Sequence, residues 1–208
     1  MWGSLVVYKN KEIGKLVAFD GPNGSGKSTL IRAVQARLLE MNIDVHVTKE
    51  PSNSKIGIFT RSAAELFSGK TLACLVAADR YDHLEKEILP LLQQGALVIT
   101  DRYILSSLIL QPMDGVDTLF VEKVNNEIIL PDLQIAVWAN EEVLKMRLSE
   151  RDKLTRFEKN NRSVEELKNM KNGVHIIQEW GMPVVNVFNN SDFEENVSLI
   201  VENILSVI

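Results

Sequence analysis

A chain of 208 residues, 45% hydrophobic and 25% charged, has the length for one good-sized core and the composition of a single globular domain. Its formal net charge of −5 excludes a nucleic acid polymer as partner, because no long basic face is available to neutralise many phosphates, whereas a mononucleotide needs only a local positive pocket. The one cysteine, Cys74, excludes an intrachain disulfide and a cysteine-rich zinc site; no apolar run approaches a membrane span or a secretory leader, so a cytoplasmic protein without a membrane partner is expected.

Residues 1–14 form an N-terminal extension in which Leu5-Val6-Val7-Tyr8 and then Lys9-Asn10-Lys11 fit either a small added strand and turn or a loose tail. A single domain, 15–208, follows. It opens on the apolar run Lys15 to Asp20 and then Gly21-Pro22-Asn23-Gly24-Ser25-Gly26-Lys27-Ser28, a match to G-x-x-x-x-G-K-[ST] at the junction with a helical pattern. In that context the glycines let the backbone curl until successive N–H groups point at phosphate oxygens. Lys27 supplies a mobile positive charge for the outer phosphates, and Ser28 a hydroxyl for Mg²⁺. The helix opening near Gly26 adds its positive end. Gly21 to Thr29 are therefore the candidate ATP-binding residues, and Lys27 a candidate catalytic one.

Further β-branched runs recur at Asp44 to Lys49, Leu97 to Asp101, Leu133 to Trp138 and Val184 to Phe188. Several are apolar at consecutive positions, as a sheet covered on both faces requires. Helical periodicity predicts helices over Lys27 to Met41, Thr71 to Gln94 with Pro90 inside it, Val116 to Leu130, Glu141 to Glu150, Ser163 to Glu179 and Asp192 to Val207, the last with Asp192 and Glu195 as a D-x-x-E start signal. The apolar neighbours of Cys74, on the second of these, place it among buried small residues. The class is α/β, a parallel sheet of about five strands flanked by helices.

In an open parallel sheet, ligands bind beyond the carboxyl ends of the strands. That rule singles out the phosphate loop, Lys49-Glu50-Pro51-Ser52, Asp101-Arg102-Tyr103 and Ala139-Asn140-Glu141. Asp101 fits either an acid near Mg²⁺, directly or through water, or a cap at a strand-to-helix turn. Arg102 is placed to hold an anionic phosphate by charge-assisted bonds. His46, His83 and His175 are scattered, which gives no support to a histidine metal site or a nucleophilic triad, and His83 is expected to pack or bond within its helix.

Taken together, these segments resemble the thymidylate kinase family from about Lys15 to the C-terminus. Thr48-Lys49-Glu50-Pro51 resembles its T-R-E-P, and Ala77-Ala78-Asp79-Arg80 with His83 its A-A-D-R-x-x-H. Ile88-Leu89-Pro90-Leu91-Leu92 with Gly95 is similar to I-x-P-A-L-x-x-G. Val98 to Tyr103 with Ser106, Ser107 and Gln111 resembles V-I-x-D-R-Y-x-x-S-S-x-A-Y-Q, and Pro131-Asp132-Leu133 matches its P-D-L. The resemblance implies a three-layer P-loop kinase fold. It implies transfer of the γ-phosphoryl group of ATP to a deoxynucleoside monophosphate, with Mg²⁺ held at Ser28 and Asp101, and a homodimer, with which the apolar Val76, Ile109 and Leu110 are compatible. On this resemblance Arg80 contacts the acceptor base, Arg102 the acceptor phosphate, and Glu50, Pro51 and Ser107 border the acceptor. The family's mobile lid falls on residues 147–160, where Arg147, Arg151, Lys153 and Arg156 would offset charge on the transferring group, since the loop interior carries no arginine.

Departures from the family pattern concentrate on the acceptor. Val76 stands where an aromatic ring stacks on thymine, Leu110 where a tyrosine lies near the sugar, and Asn23 where an Asp or Glu is common in the loop. They leave open a kinase for another nucleotide or nucleoside. A nucleotide sensor or docking module is disfavoured, because it has no need of an acceptor-phosphate arginine beside an acid. NTP hydrolysis as the main activity is disfavoured too, since no water-positioning glutamine is evident once Gln111 is explained by the acceptor motif.

Overall fold

The computed structural model describes residues 8–152, 154–158, 162–190 and 192–208. In chain order these form β1 (Tyr8–Lys9), β2 (Lys15–Asp20), α1 (Lys27–Glu40), β3 (Val45–Lys49), α2 (Lys55–Ala63), α3 (Gly69–His83), a π-turn (Leu84–Ile88) and α4 (Leu89–Gln93). Then come β4 (Leu97–Asp101), α5 (Ile104–Leu110), a 3₁₀ turn (Pro112–Asp114), α6 (Thr118–Val124), β5 (Ile129–Leu130), β6 (Leu133–Trp138), α7 (Glu141–Ser149), α8 (Ser163–Glu179), β7 (Val184–Phe188) and α9 (Phe193–Leu205).

β3, β4, β2, β6 and β7 make a five-stranded, all-parallel sheet in that order. Alternate side chains of the central strands feed two cores. Leu16, Ala18, Val98 and Ala136 pack with residues of α4, α5 and α8, while Val17, Phe19, Ile99, Ile135 and Val137 pack with α1 and α9. Both faces are thereby covered, which is why these strands read as continuous apolar runs. Asp132, of the Pro-Asp-Leu motif, anchors β6 to β2: its Oδ2 accepts from the Leu16 amide at 2.8 Å and from Asn10 Nδ2 at 2.7 Å.

β2 pairs with β4 on one side and β6 on the other, so the connections diverge around its carboxyl end and open the crevice where ligands bind in such sheets. The register sets Phe19 opposite Asp101, which brings the acid at the end of β4 to the rim of the phosphate loop.

Elsewhere local chemistry overrides the expected helices. The one expected over Thr71 to Gln94 is α3, a π-turn and α4 in series. Pro90 has no N–H to donate and its ring crowds the carbonyl one turn back, and the helix widens just before it. That expected over Val116 to Leu130 reaches only Thr118–Val124; Asp117 caps its start, accepting from Leu119 N at 2.7 Å, and Ile129–Leu130 pairs in parallel with β1. Tyr8–Lys9 is thus an added strand, whereas Leu5, Val6 and Val7 lie outside the described residues. Cys74 is exposed, against expectation: α3 turns Leu72, Ala73 and Ala77 inward, and position 74 falls on its other face.

Candidate active site

β2 ends in Asp20, fully buried, whose Oδ1 accepts from the amides of Tyr103 and Ser106, both at 2.9 Å, and whose Oδ2 accepts from Gln134 Nε2 at 3.1 Å. Burial pushes its carboxyl up despite these bonds. Asp20 fastens the turn after β4 to the start of the loop. The chain then passes so close to β6 that a Cβ on Gly21 would lie 2.2 Å from Val137 O. At Gly26 φ is +89° and a Cβ would meet Asn189 Nδ2 at 2.3 Å, so both positions require glycine.

Inside the loop Lys27 is bonded to its own backbone. Nζ donates to Gly21 O and Pro22 O, both at 2.9 Å, and lies 3.4 Å from Ser25 Oγ. Desolvation, reinforced by the charge of Arg102, lowers its pKa to about 7. Ser28 Oγ donates to Asp101 Oδ2 at 2.5 Å. A hydroxyl beside a carboxylate is a set of hard oxygen donors that suits Mg²⁺. A hollow of about 200 Å³ opens over these groups, lined by Asn23, Gly24, Gly26, Lys27, Ser28, Thr29, Asp101, Arg102 and Arg151. A second hollow beside it is lined by Thr29, Arg147, Arg151, Asn189 and Phe193.

The expected cluster of lid cations divides in the structure. Arg147 ends α7 and donates to Asn189 O at 3.0 Å, with Gly24 O and Ser25 O at 3.4 and 3.3 Å, so it braces the loop backbone. Arg151 is paired with Glu158 and faces the phosphate hollow. Arg156 does not: its two Nη atoms donate to the two oxygens of Asp114, each at 2.7 Å, and its Nε donates to Ala64 O at 2.8 Å. The Asp114 side chain is 4% exposed, and a bidentate guanidinium is what such a carboxylate requires. Lys153 lies outside the described residues.

Arg102 adopts a left-handed backbone, φ 79°, unusual for a residue with a side chain. Its Nη2 donates to Asn23 Oδ1 at 2.8 Å and its Nη1 to Ser106 Oγ at 3.1 Å. Arg102 and Asn23 both line the hollow over the loop and a third, more apolar cavity of about 230 Å³. That cavity brings together every residue singled out for the acceptor: Glu50, Pro51, Val76, Arg80, Arg102, Ser107, Leu110 and Gln111. Val76 and Leu110 line that cavity and are half-buried, and Ile109 is buried.

Arg80, 1% exposed, is held from all sides. Nε donates to Glu50 Oε2 at 2.8 Å, Nη1 to Asn125 Oδ1 at 2.6 Å, and Nη2 to Tyr103 O at 3.1 Å and Ser107 Oγ at 3.0 Å. His83 is buried, as expected; its Nε2 bonds across to β3 at Thr48 Oγ1, 2.8 Å away, and lies 3.6 Å from Glu87 one turn on. Gln111 Oε1 is buried on the cavity wall with no hydrogen-bond partner, which favours a ligand carrying a donor there.

Several lining residues escaped the sequence reading. Thr60, Arg61, Ala64 and Glu65 come from α2 and its end, whereas Phe157 and Glu158 belong to the expected lid segment after α7 and line the acceptor side of the site. Asn125, which takes one arm of Arg80, sits just past α6 and carries no sequence signal. Glu166, the carboxylate bonded to Asn23, lies on α8 beyond the expected lid.

A parallel sheet with a G-x-x-x-x-G-K-S loop at its switch point, and a hollow over that loop sharing an arginine with a more apolar cavity, defines the class of P-loop phosphotransferases. A sequence model described as thymidylate kinase matches residues 19–200, and the chain belongs to the thymidylate kinase family. A thymidylate kinase of Caldicellulosiruptor saccharolyticus is 38% identical over 143 residues, 65% of this chain and 69% of that protein. A probable thymidylate kinase of Caldivirga maquilingensis is 40% identical over 159 residues, covering 73% and 77%. One of Methanococcus maripaludis is 30% identical over 213 residues, covering 94% and 100%.

Proposed function

We propose that the protein transfers the γ-phosphoryl group of ATP to thymidylate. The observation that carries this reading is the shared wall: Asn23 and Arg102 line both hollows, so an acceptor phosphate at Arg102 faces the end of a triphosphate lying on the loop. Lys27 exchanges its loop carbonyls for the outer phosphate oxygens, and the loop amides and the opening of α1 add fixed positive potential. Ser28 and Asp101 would hold Mg²⁺, which would offset charge on the donor phosphates. Arg151 supplies the cation over the transferring group. Arg102 orients the acceptor oxygen for in-line attack, and bringing the two phosphates together is itself the larger part of catalysis in this chemistry.

Arg80 and Gln111 meet the polar edge of the base, while Leu72, Val76 and Leu110 press on its faces and the sugar. Glu50 acts by holding Arg80. Arg147 braces the loop, and Arg156 fastens the segment after α7, our candidate lid, against Asp114. Residues 1–14 are an extension whose strand β1 adds to the rim of a single kinase domain. Ile58, Phe59, Leu66 and Phe67 expose 57, 52, 81 and 43% of their surface along α2 and its end, the apolar face on which we place a homodimer contact. Among the described residues no helix is long and apolar enough to cross a membrane, and the cytoplasm, where nucleotides are made, is the compartment this reading assigns.

A second acceptor is favoured by one feature, the aliphatic Val76 and Leu110 on the cavity wall. An ADP-release assay with ATP and Mg²⁺ against ribo- and deoxynucleoside monophosphates, with nucleosides as controls, separates the two. Thymidylate is expected to give the highest kcat/KM. Refusal of thymidylate beside good use of another monophosphate would replace the acceptor, and a nucleoside used as well as its monophosphate would remove the monophosphate-kinase reading.

A further inference from the structure

We propose that Glu166 is a positioning residue for the acceptor phosphate, acting through the amide of Asn23 to orient Arg102; this rests on the reading of Arg102 given above. Glu166 stands near the start of α8, 2% exposed, and lines neither hollow, so it touches neither substrate. Its Oε2 accepts from the Asn23 backbone N–H at 2.6 Å and its Oε1 from Asn23 Nδ2 at 3.1 Å.

Burial pushes the Glu166 carboxyl up, yet both of its oxygens accept from Asn23, and two bonded acceptors decide which way the amide lies. With Nδ2 committed to Glu166, Oδ1 must face the other way, and it receives Arg102 Nη2 at 2.8 Å. The flipped amide would set oxygen against oxygen at Glu166 and nitrogen against guanidinium at Arg102. Ser106 Oγ, 3.1 Å from Nη1, completes the hold on the fork. The chain Glu166, Asn23, Arg102 therefore fixes the guanidinium on the wall between donor and acceptor. It also accounts for an amide at position 23: an aspartate there would put a second carboxylate against Glu166, whose carboxyl burial already pushes up, and the pair would have to take up a proton to stay together.

The test is a cycle of Glu166→Gln, Asn23→Asp and the double variant, each assayed with ATP–Mg²⁺ and thymidylate and melted to confirm folding. A glutamine at position 166 cannot satisfy both donors of Asn23, so the single variant is expected to raise acceptor KM about tenfold, the scale of one charge-assisted hydrogen bond, with ATP KM within about twofold. Asn23→Asp alone should do more damage. In the double variant the introduced glutamine accepts from the N–H of residue 23 and donates to the introduced aspartate, whose other oxygen still receives Arg102. Acceptor KM should return to within about threefold of the wild type. If Asn23→Asp does not fold, the double variant against Glu166→Gln decides. A double variant no better than Glu166→Gln, or no change of acceptor KM in Glu166→Gln, overturns the positioning role even while the wild type phosphorylates thymidylate. Coupling that shows in ATP KM alone overturns the acceptor-side assignment of Arg102, and this inference with it.

Discussion

The donor cradle and the acceptor cavity share a wall but are built on opposite principles. The cradle is one contiguous run, Gly21 to Thr29, and its buried cation Lys27 rests on carbonyls of the same loop. The cavity is assembled from the turn after β3, α2, α3, α5 and the segment after α7, and its buried cation Arg80 is locked into a carboxylate after β3, an amide after α6, and a carbonyl and a hydroxyl at the start of α5 and on it. A charge that must meet phosphate is stored on weak backbone partners it can leave. The charge to which the proposed function gives the base is made part of the fold. The two regions should therefore fail differently when their cations are removed.

The largest effect is expected in the cradle. Lys27→Ala should lower kcat about a thousandfold or more, because the loop's only side-chain charge on the outer phosphates is gone. Its melting temperature should stay near that of the wild type, since the desolvation cost of the buried ammonium, which lowers its pKa to about 7, is removed along with its bonds. A folded variant with near-wild-type turnover would leave Lys27 without a catalytic role. Arg80→Ala inverts the pattern. It strands Glu50, whose side chain is 3% exposed, and should cost about 3–5 kcal/mol of stability in urea or thermal unfolding as well as acceptor binding. If Arg80→Ala melts like the wild type, the contrast between the two sites collapses.

The same contrast sharpens inside the segment after α7. Arg151 faces the phosphate hollow, whereas Arg156 is spent on Asp114. Steady-state kinetics of Arg151→Ala should show kcat falling about ten- to a hundredfold with a smaller change in ATP KM, as for a group used more in the transition state than in the bound state. Arg156→Ala should leave kcat at saturating substrate within a fewfold, raise acceptor KM, and lower stability by removing the partner of a buried carboxylate. Equal kcat losses in both would restore Arg156 to the phosphates.

The cradle and the five strands were legible in the sequence because each is encoded by neighbours: a glycine pattern, a lysine and serine at fixed offsets, runs of β-branched residues. Arg156 and the four unforeseen cavity residues of α2 and its end were not, because their roles depend on partners far along the chain. Arg156 and Arg151 are alike locally, and what separates them is the partner each meets: Asp114, brought in by the 3₁₀ turn after α5, with Ala64 O for Arg156, and Glu158 for Arg151. α5 itself, Ile104–Leu110, is buried nearly all round and has no polar face, so the amphipathic period that betrays a surface helix is absent. α2 is only nine residues, announced by little beyond Ser54, which accepts from Gly57 N at 3.2 Å. Glu166 looks like any acid in the first turn of a helix until Asn23 is found against it.

The smallest expected effect tests how closely the cavity fits its base. Val76 and Leu110 stand on its wall where the family carries aromatic rings, and the base-stacking lost with one ring is worth about 1–3 kcal/mol. Their aliphatic side chains still exclude water from the base, so the loss falls on affinity and on discrimination against a 2′-hydroxyl rather than on the chemical step. Val76→Phe with Leu110→Tyr should raise kcat/KM for thymidylate by a fewfold and widen its preference over the ribonucleotide. Volume opposes the gain. In a cavity of about 230 Å³ already bordered by Phe157 from the segment after α7, two added rings can overpack, at a cost of about 1–3 kcal/mol that a melting curve would show. A double variant that melts normally yet binds thymidylate more weakly would mean that the cavity is shaped for its aliphatic wall, with Phe157 as the ring that covers the base.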